Sequence, residues 1–391
     1  MNLIRVIPAK GVRIPHSQHH QHSAPDLVVV GGGVIGLSVA WRASLRGGTV
    51  TVIDRGALGQ GTSHVAAGML APVSEADAGE PALLAAGLAS ARAWPQFAAE
   101  LEQASGLDPG MRACGTLVVA RDADDVAWLD RERELRDQLG VPVARLRGSE
   151  ARRLAPALAP SVRAALNVPD DHAIDPRTLV AALCAACAAA GVTLRPGVEV
   201  RGHDAHGVTL ADGSRVAAGR VVIATGPWSG APVRPLKGQI LRLRDPEGPG
   251  LVDHVLRFRP SAGGARLSGG YIVPRGDGRY VIGATSEERG FDTSVTAGGV
   301  RELLAEAQTV VPGLDELELE EASAGLRPTT PDNAPLIGEV DGVVIATGHH
   351  RHGVLLAPFT ADAVVALLAG ERPPAELAAF APGRFAEAVT R

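Results

Sequence analysis

The chain has 391 residues, of which 46% are hydrophobic and 21% charged, and its net charge is −5. This describes a folded globular protein with one large or two ordinary domains. No sustained basic run supports nucleic-acid binding, and the most apolar late stretch, 353–370, contains Pro358 and Asp362 and reads as a buried helix rather than a membrane span.

Residues 1–25 are polar, lack the apolar core of a secretory signal and carry His16, His19, His20 and His22. They read as a disordered extension rather than a metal-binding arm. Leu27-Val28-Val29-Val30 then runs into Gly31-Gly32-Gly33-Val34-Ile35-Gly36. This is a buried strand, a tight turn and a helix start. Gly31, Gly33 and Gly36 fit the G-x-G-x-x-G dinucleotide fingerprint. There the first glycine permits the turn, the second admits a pyrophosphate to the backbone, and the third lets helix and strand pack closely. The helix, expected over 34–45, turns free N–H groups toward the phosphates. A second apolar strand, Val50-Thr51-Val52-Ile53, ends in Asp54, where a ribose-binding carboxylate belongs. The fingerprint leaves NAD and FAD both open.

Residues 55–64 form a long glycine- and hydroxyl-rich loop, a functional candidate by its length. The small residues of 65–72 suit either close approach of a flat ligand or a packing turn. A helix is expected from Pro81 to about residue 104, a strand over 114–120, and a charged amphipathic helix over 122–139. Asp175-Pro176 supplies an N-cap and a proline at the first helical position. Cys184 and Cys187 lie on the alanine-rich helix that follows and read as small apolar residues of one face, not a redox pair. With Cys114 they make 3 cysteines, an odd number that builds no disulfide framework and fits a cytoplasmic home.

Segments 198–210 and 215–218, separated by Asp212-Gly213, read as a hairpin. Arg220-Val221-Val222-Ile223-Ala224-Thr225-Gly226 is another apolar strand with a glycine turn, and its ending recurs at Val343-Val344-Ile345-Ala346-Thr347-Gly348. The repeat predicts two returns to one parallel sheet, with both loops at its carboxyl edge. Between them, strands at 240–244, 252–257, 270–274 and 280–283 have antiparallel character, interrupted by a helix over 297–310.

Several motifs then occur together in order: the glycine turn with Asp54; Ser63-His64-Val65-Ala66-Ala67-Gly68-Met69-Leu70; Leu236-Lys237-Gly238-Gln239; Tyr271-Ile272-Val273-Pro274-Arg275 with Ile282-Gly283-Ala284-Thr285; Gly325-Leu326-Arg327-Pro328-Thr329-Thr330; and Gly348-His349-His350-Arg351-His352-Gly353-Val354-Leu355. Over roughly 26–385 the chain resembles the flavin-dependent amine oxidases of the D-amino-acid oxidase superfamily. Within them it resembles the glycine oxidases of the thiamin thiazole pathway. The resemblance implies an α/β fold: a Rossmann-like FAD-binding domain with a parallel sheet plus an α+β substrate domain with a mainly antiparallel sheet. The FAD domain is expected over 26–84, 148–231 and 323–385, and the substrate domain over 85–147 and 232–322.

The resemblance assigns Gly31, Gly33, Val34, Ile35, Gly36, Asp54 and Arg55 to the ADP half of non-covalent FAD. Ser63, Ala67, Gly68 and Met69 would line the flavin, with Val200, Thr225, Gly226, His352, Gly353, Val354 and Leu355 completing the cofactor set. Arg327 would clamp the substrate carboxylate, Tyr271 would lay its hydroxyl over it, and Arg351 would stand at the active-site entrance. The implied reaction is hydride transfer from the Cα of glycine to the flavin, followed by release of glyoxylate and ammonia and reduction of dioxygen to hydrogen peroxide. Sarcosine or D-amino-acid oxidase or dehydrogenase activity stays open. A homo-oligomer, dimer or tetramer, is also implied, with no metal, nucleic acid or membrane partner. His350 and His352 stand where an aromatic residue and an asparagine are expected. Ser286, Gly269 and Gly270 replace bulkier residues, which predicts a wider pocket and a relaxed preference for glycine.

Overall fold

The computed structural model describes residues 24–246, 248, 250–261 and 266–385. Except for Ala24 and Pro25, the expected extension lies outside the described residues. The first architectural unit is a six-stranded sheet. Its order is Leu336–Val340, Val343–Thr347, Arg220–Ile223, Leu27–Val30, Val50–Ile53, Thr193–Arg195. All neighbours are parallel except Leu336–Val340, which runs antiparallel at the edge. The central strands Leu27–Val30 and Val50–Ile53 are buried along their whole length because both faces are covered. Val29, Val52 and Val222 face a layer of helices, Val34–Ser44, Pro81–Ser105, Pro176–Ala189 and Ala357–Ala369. Val28, Val30, Ile53, Val221 and Ile223 face a small sheet on the other side.

The second unit is an eight-stranded sheet. Its order is Glu318–Thr329, Arg234–Arg244, Arg279–Thr285, Leu267–Pro274, Val255–Phe258, Thr116–Ala120, Ala164–Val168, Ala144–Arg147. Only Val255–Phe258 and Thr116–Ala120 pair in parallel. The helix Ala297–Gln308 packs Leu303 and Ala307 into the core of this sheet. The two units meet where the end of the Glu318–Thr329 strand bridges to the end of the last parallel strand, Thr329 to His349. A mixed α/β architecture with one parallel and one mainly antiparallel sheet is therefore present.

Four features differ from the sequence reading. The loop over 55–64 ends in a helical turn, Thr62–Val65. The segment 198–210 is not one limb of a hairpin but two strands, Val200–Asp204 and Gly207–Leu210, which form a three-stranded meander with Arg215–Ala217. The strand expected at 240–244 begins at Arg234, and Glu318–Thr329 was not anticipated as a strand. Pro235, Gly238, Gly325 and Pro328 hide both signals. The register sets Pro235 opposite Pro328, and Glu318–Thr329 is an edge strand, where a missing N–H is tolerated.

The packing also cuts across the expected division into parts. The helix Pro81–Ser105 buries Leu83, Ala86, Trp94, Phe97 and Leu101 in the core beneath the parallel sheet. The strand Ala164–Val168 pairs inside the eight-stranded sheet. Cys187 is buried in the helical layer against the first helix, its thiol 3.6 Å from the Leu37 carbonyl oxygen, and burial pushes that thiol up to about 12. Such a thiol stays protonated and serves packing.

Candidate active site

The carboxyl edge of the parallel sheet opens into a groove of about 940 Å³. Gly31, Gly33, Val34, Ile35, Asp54, Arg55, Ser63, Val200, Thr225, Gly226, Gly353 and Val354 all line it. The turn is fixed from two sides. Gly32 N donates to Asp54 Oδ2 at 2.7 Å, and Val34 N donates to Ser63 Oγ at 3.0 Å. Asp54 Oδ1 also accepts from Gly56 N at 2.8 Å. Each carboxylate oxygen keeps a second lone pair for a ribose hydroxyl. Gly36 faces the turn rather than the groove, so close to Gly31 that an added Cβ would overlap the Gly31 carbonyl oxygen. The N-cap residue, Gly33, has no side chain to cap the helix, and the first turn holds no acid. Its positive end is thus open to an anion, and the groove fits the diphosphate and ribose of FAD.

A second cavity, about 660 Å³, adjoins the groove, and both are lined by Thr62, Val65, Gly325 and His350. Arg327, Tyr271, Arg351, Ala67 and Met69 all line this second cavity. The sheet register brings the first two together. Leu236 pairs with Arg327, Gly238 with Gly325, Ile240 with Gly283, and Gly283 with Tyr271. Gly238 and Gly283 form a floor without side chains. An added Cβ at Gly238 would lie 2.5 Å from Arg327 Nη1, and one at Gly283 would overlap the Tyr271 ring. Arg327 and Tyr271 therefore lie flat across the sheet, each over a glycine. Arg327 Nη1 also donates to the Thr285 carbonyl at 3.1 Å. Burial raises the Tyr271 hydroxyl above its ordinary value, against the opposing pull of Arg327, so it stays protonated at neutral pH. Among the described residues, Arg327 has no ion pair.

Arg351 is placed differently. It pairs with Glu80 at 2.8 Å and with Glu75 at 3.9 Å. Glu75 is a buried acid that also pairs with Arg257 at 3.2 Å and lies 3.5 Å from His352 Nδ1. Burial pushes the Glu75 carboxyl up, but the guanidiniums of Arg257, Arg351 and Arg327 together hold it below its usual value. Arg351 is thus engaged by acids of its own chain, whereas Arg327 is free to take one from outside. Neither Glu75 nor Arg257 carries a signal in the sequence; both look like ordinary surface charges until the fold brings them to one cavity.

Three other expected cofactor residues, His352, Leu355 and Gly68, line neither the groove nor the second cavity. His352 is 6% exposed and faces Glu75. Leu355 belongs to the core, and its carbonyl accepts from Ser90 Oγ at 2.6 Å and Trp94 Nε1 at 2.8 Å. Gly68 packs against Ile174 and Pro176 in a left-handed turn (φ 77°), while its neighbours Ala67 and Met69 face the second cavity. The widening expected at Gly270 is also absent, because Phe258 fills the space that a Cβ there would need. Gly269 and Ser286 do line the cavity.

The three late histidines have separate partners. His349 Nε2 is 3.0 Å from Thr360 Oγ1, and His350 Nδ1 is 2.8 Å from Thr329 Oγ1. Burial lowers all three, to about 3 for His349, about 2 for His350 and about 4 for His352; nearby arginines add to the effect at His350 and His352, and Glu75 opposes it at His352. The unfolded chain protonates them near pH 6.5, whereas the native state does not. Stability is therefore lost as pH falls from about 6.5 toward 4.5, before ordinary carboxylates titrate. Asp171, raised to about 6 by burial despite accepting from the Val73 and Ser74 amides, works in the opposite sense with one proton. For these four groups the net uptake on unfolding is about two protons, near 2.7 kcal/mol per pH unit, and His64 and His254, also lowered by burial, act in the same sense as the late histidines. Thermal melts between pH 7 and 4.5 should show this fall; a flat midpoint would contradict neutral buried histidines.

The family profile for FAD dependent oxidoreductase, designated DAO, matches residues 26–367. The chain is 35% identical over 371 residues to a glycine oxidase of Geobacillus kaustophilus, covering 91% of this chain and 96% of that protein. It is 35% identical over 381 residues to a bifunctional protein ThiO/ThiG of Synechocystis, covering 92% of this chain and 54% of that protein. The chain thus spans about half the length of that bifunctional relative. The crystal structure of glycine oxidase from Geobacillus kaustophilus superposes with a TM-score of 0.84 at 33% identity, covering 92% of this chain and 98% of that one. The glycine turn, the open helix start and these matches agree: the chain belongs to the FAD dependent oxidoreductase family, and FAD is its cofactor.

Proposed function

We propose that this protein oxidatively deaminates glycine and other small amino acids. The observation that carries the reading is Arg327, held flat beside Tyr271 over a glycine floor, without an acidic partner of its own among the described residues. A guanidinium presents two parallel donors with a permanent charge, the complement of a substrate carboxylate. The Tyr271 hydroxyl adds a donor to the same oxygens. FAD supplies the two-electron acceptor for the substrate Cα–H and passes the electrons to dioxygen, giving hydrogen peroxide. The chain's own task is to fix the substrate by its carboxylate at the join of the two cavities. The imidazole of His350 lines that join and stays neutral, so it adds no charge to repel a substrate amine.

Discrimination between glycine and alanine rests on one methyl group, worth about 1–3 kcal/mol. With Gly269 and Ser286 on the wall, a moderate preference among glycine, sarcosine and small D-amino acids is the expected result. A peroxide assay across glycine, sarcosine, D-alanine and D-proline tests it; a yellow protein giving peroxide with none of them would refute the reading. Replacing Tyr271 with Phe removes one hydrogen bond to a charged group, about 1.5–3 kcal/mol, and should lower kcat/KM roughly tenfold to a hundredfold. We assign Gly31, Gly33, Asp54, Ser63, Thr225 and Gly353 to holding FAD, supported by their shared groove. A role in making the thiazole of thiamin follows from the likeness to ThiO/ThiG proteins. A strain lacking the gene should then need thiazole in its medium. The odd, unpaired cysteines support a cytoplasmic setting.

A further inference from the structure

Trp228 and Phe291 are large rings left 39% and 56% exposed, yet they stack on each other with centroids 5.9 Å apart and planes 23° from parallel. The guanidinium of Arg55 lies 4.2 Å from the centroid of Trp228. The three layers come from three separate segments. Arg55 follows the strand Val50–Ile53, Trp228 ends the turn after Arg220–Ile223, and Phe291 lies between Arg279–Thr285 and the helix Ala297–Gln308. All three line the cofactor groove, and so does Thr293.

The Phe291 segment is anchored to the eight-stranded sheet. Lys237, only 1% exposed, donates through Nζ to Asp292 Oδ2 at 2.7 Å. Lys237 and Glu287 also exchange backbone hydrogen bonds of 3.0 and 2.9 Å. Asp292 in turn accepts from Ser294 N at 2.8 Å, and the Lys237 ammonium holds its carboxyl well below the usual range. A segment tethered to one sheet thus lays an aromatic ring on a residue of the other. Aromatic stacking and cation–π contacts of this geometry are attractive even at a surface.

We propose that the segment around Phe291 is a strap that closes the mouth of the FAD groove and slows cofactor release. The strap rests on FAD being the bound cofactor and does not depend on which amino acid is oxidised. Its test follows flavin fluorescence after the holoenzyme is mixed with an excess of a flavin-scavenging apoprotein. Phe291→Ala should release FAD roughly threefold to tenfold faster than the wild type. Phe291→Tyr, which keeps the ring, should release it near the wild-type rate. Asp292→Asn, which weakens the tether and leaves the rings, should also speed release. Wild-type release from Phe291→Ala would overturn the strap. So would equal losses of thermal midpoint in its apo and holo forms, because the ring would then be only structural. A changed oligomeric state of Phe291→Ala in sedimentation would overturn it as well, by assigning the rings to a subunit contact. A wild-type protein unable to bind FAD would sink the cofactor along with the strap, whereas an absence of peroxide from a yellow protein would leave the strap standing.

Discussion

Arg327→Ala is expected to lower kcat/KM roughly 30-fold to several thousandfold, the equivalent of about 2–5 kcal/mol for losing one partner of a desolvated charge pair. The fold should tolerate the change. Arg327 has no ion-paired acid among the described residues, and Glu75 keeps Arg257 and Arg351, so its removal orphans no buried carboxylate; the Thr285 carbonyl loses a donor. This separates it from Arg351, whose removal would leave Glu80 and Glu75 short of a cation. Arg351→Ala should therefore lower the thermal midpoint as well as activity, while Arg327→Ala should lower activity alone. Arg327→Lys keeps the charge and loses the fork, and should fall between wild type and alanine. Steady-state kinetics beside thermal melts decide the matter. An unchanged kcat/KM for Arg327→Ala would remove the clamp from the proposed mechanism.

Gly36→Ala should give a protein that purifies without yellow colour or does not fold. The added methyl would overlap the Gly31 carbonyl oxygen, a backbone atom that no rotamer change can move aside. The helix would have to lift from the strand, and overpacking of this kind costs about 1–3 kcal/mol or more. Displacing the helix also displaces the donors that meet the diphosphate. Absorbance of bound flavin, measured with and without added FAD, checks the result. A yellow Gly36→Ala protein of ordinary stability would mean that the turn accommodates a side chain.

The glycine turn was readable because each of its requirements is local. A strand of four apolar residues, a turn of glycines and a helix start lie within about a dozen positions. The same holds for Asp175, which caps its helix by accepting from Arg177 N at 2.9 Å, and for the late strand Val343–Thr347. Its parallel pairing with Arg220–Ile223 also followed from their like endings. Burial on both faces writes itself into sequence as an unbroken apolar run.

The strand that carries Arg327 left no such trace. Glu318–Thr329 has three exposed residues at its start and is largely half-buried, so it shows no alternation, and its proline is harmless only because the strand is an edge. Its register against Arg234–Arg244 is what sets Gly238 beneath Arg327. Likewise, Gly270 promised space in the sequence, and Phe258 across the strand pair occupies it. His352 stood one residue from the groove in sequence but turned inward to Glu75. By itself the sequence determined the buried strands, the nucleotide turn and the helix starts, because period, apolarity and capping act over a few residues. Only the tertiary structure decided which charges meet. Whether an arginine is free, like Arg327, or engaged, like Arg351 with Glu80 and Glu75, depends on partners brought from distant segments by sheet register and helix packing.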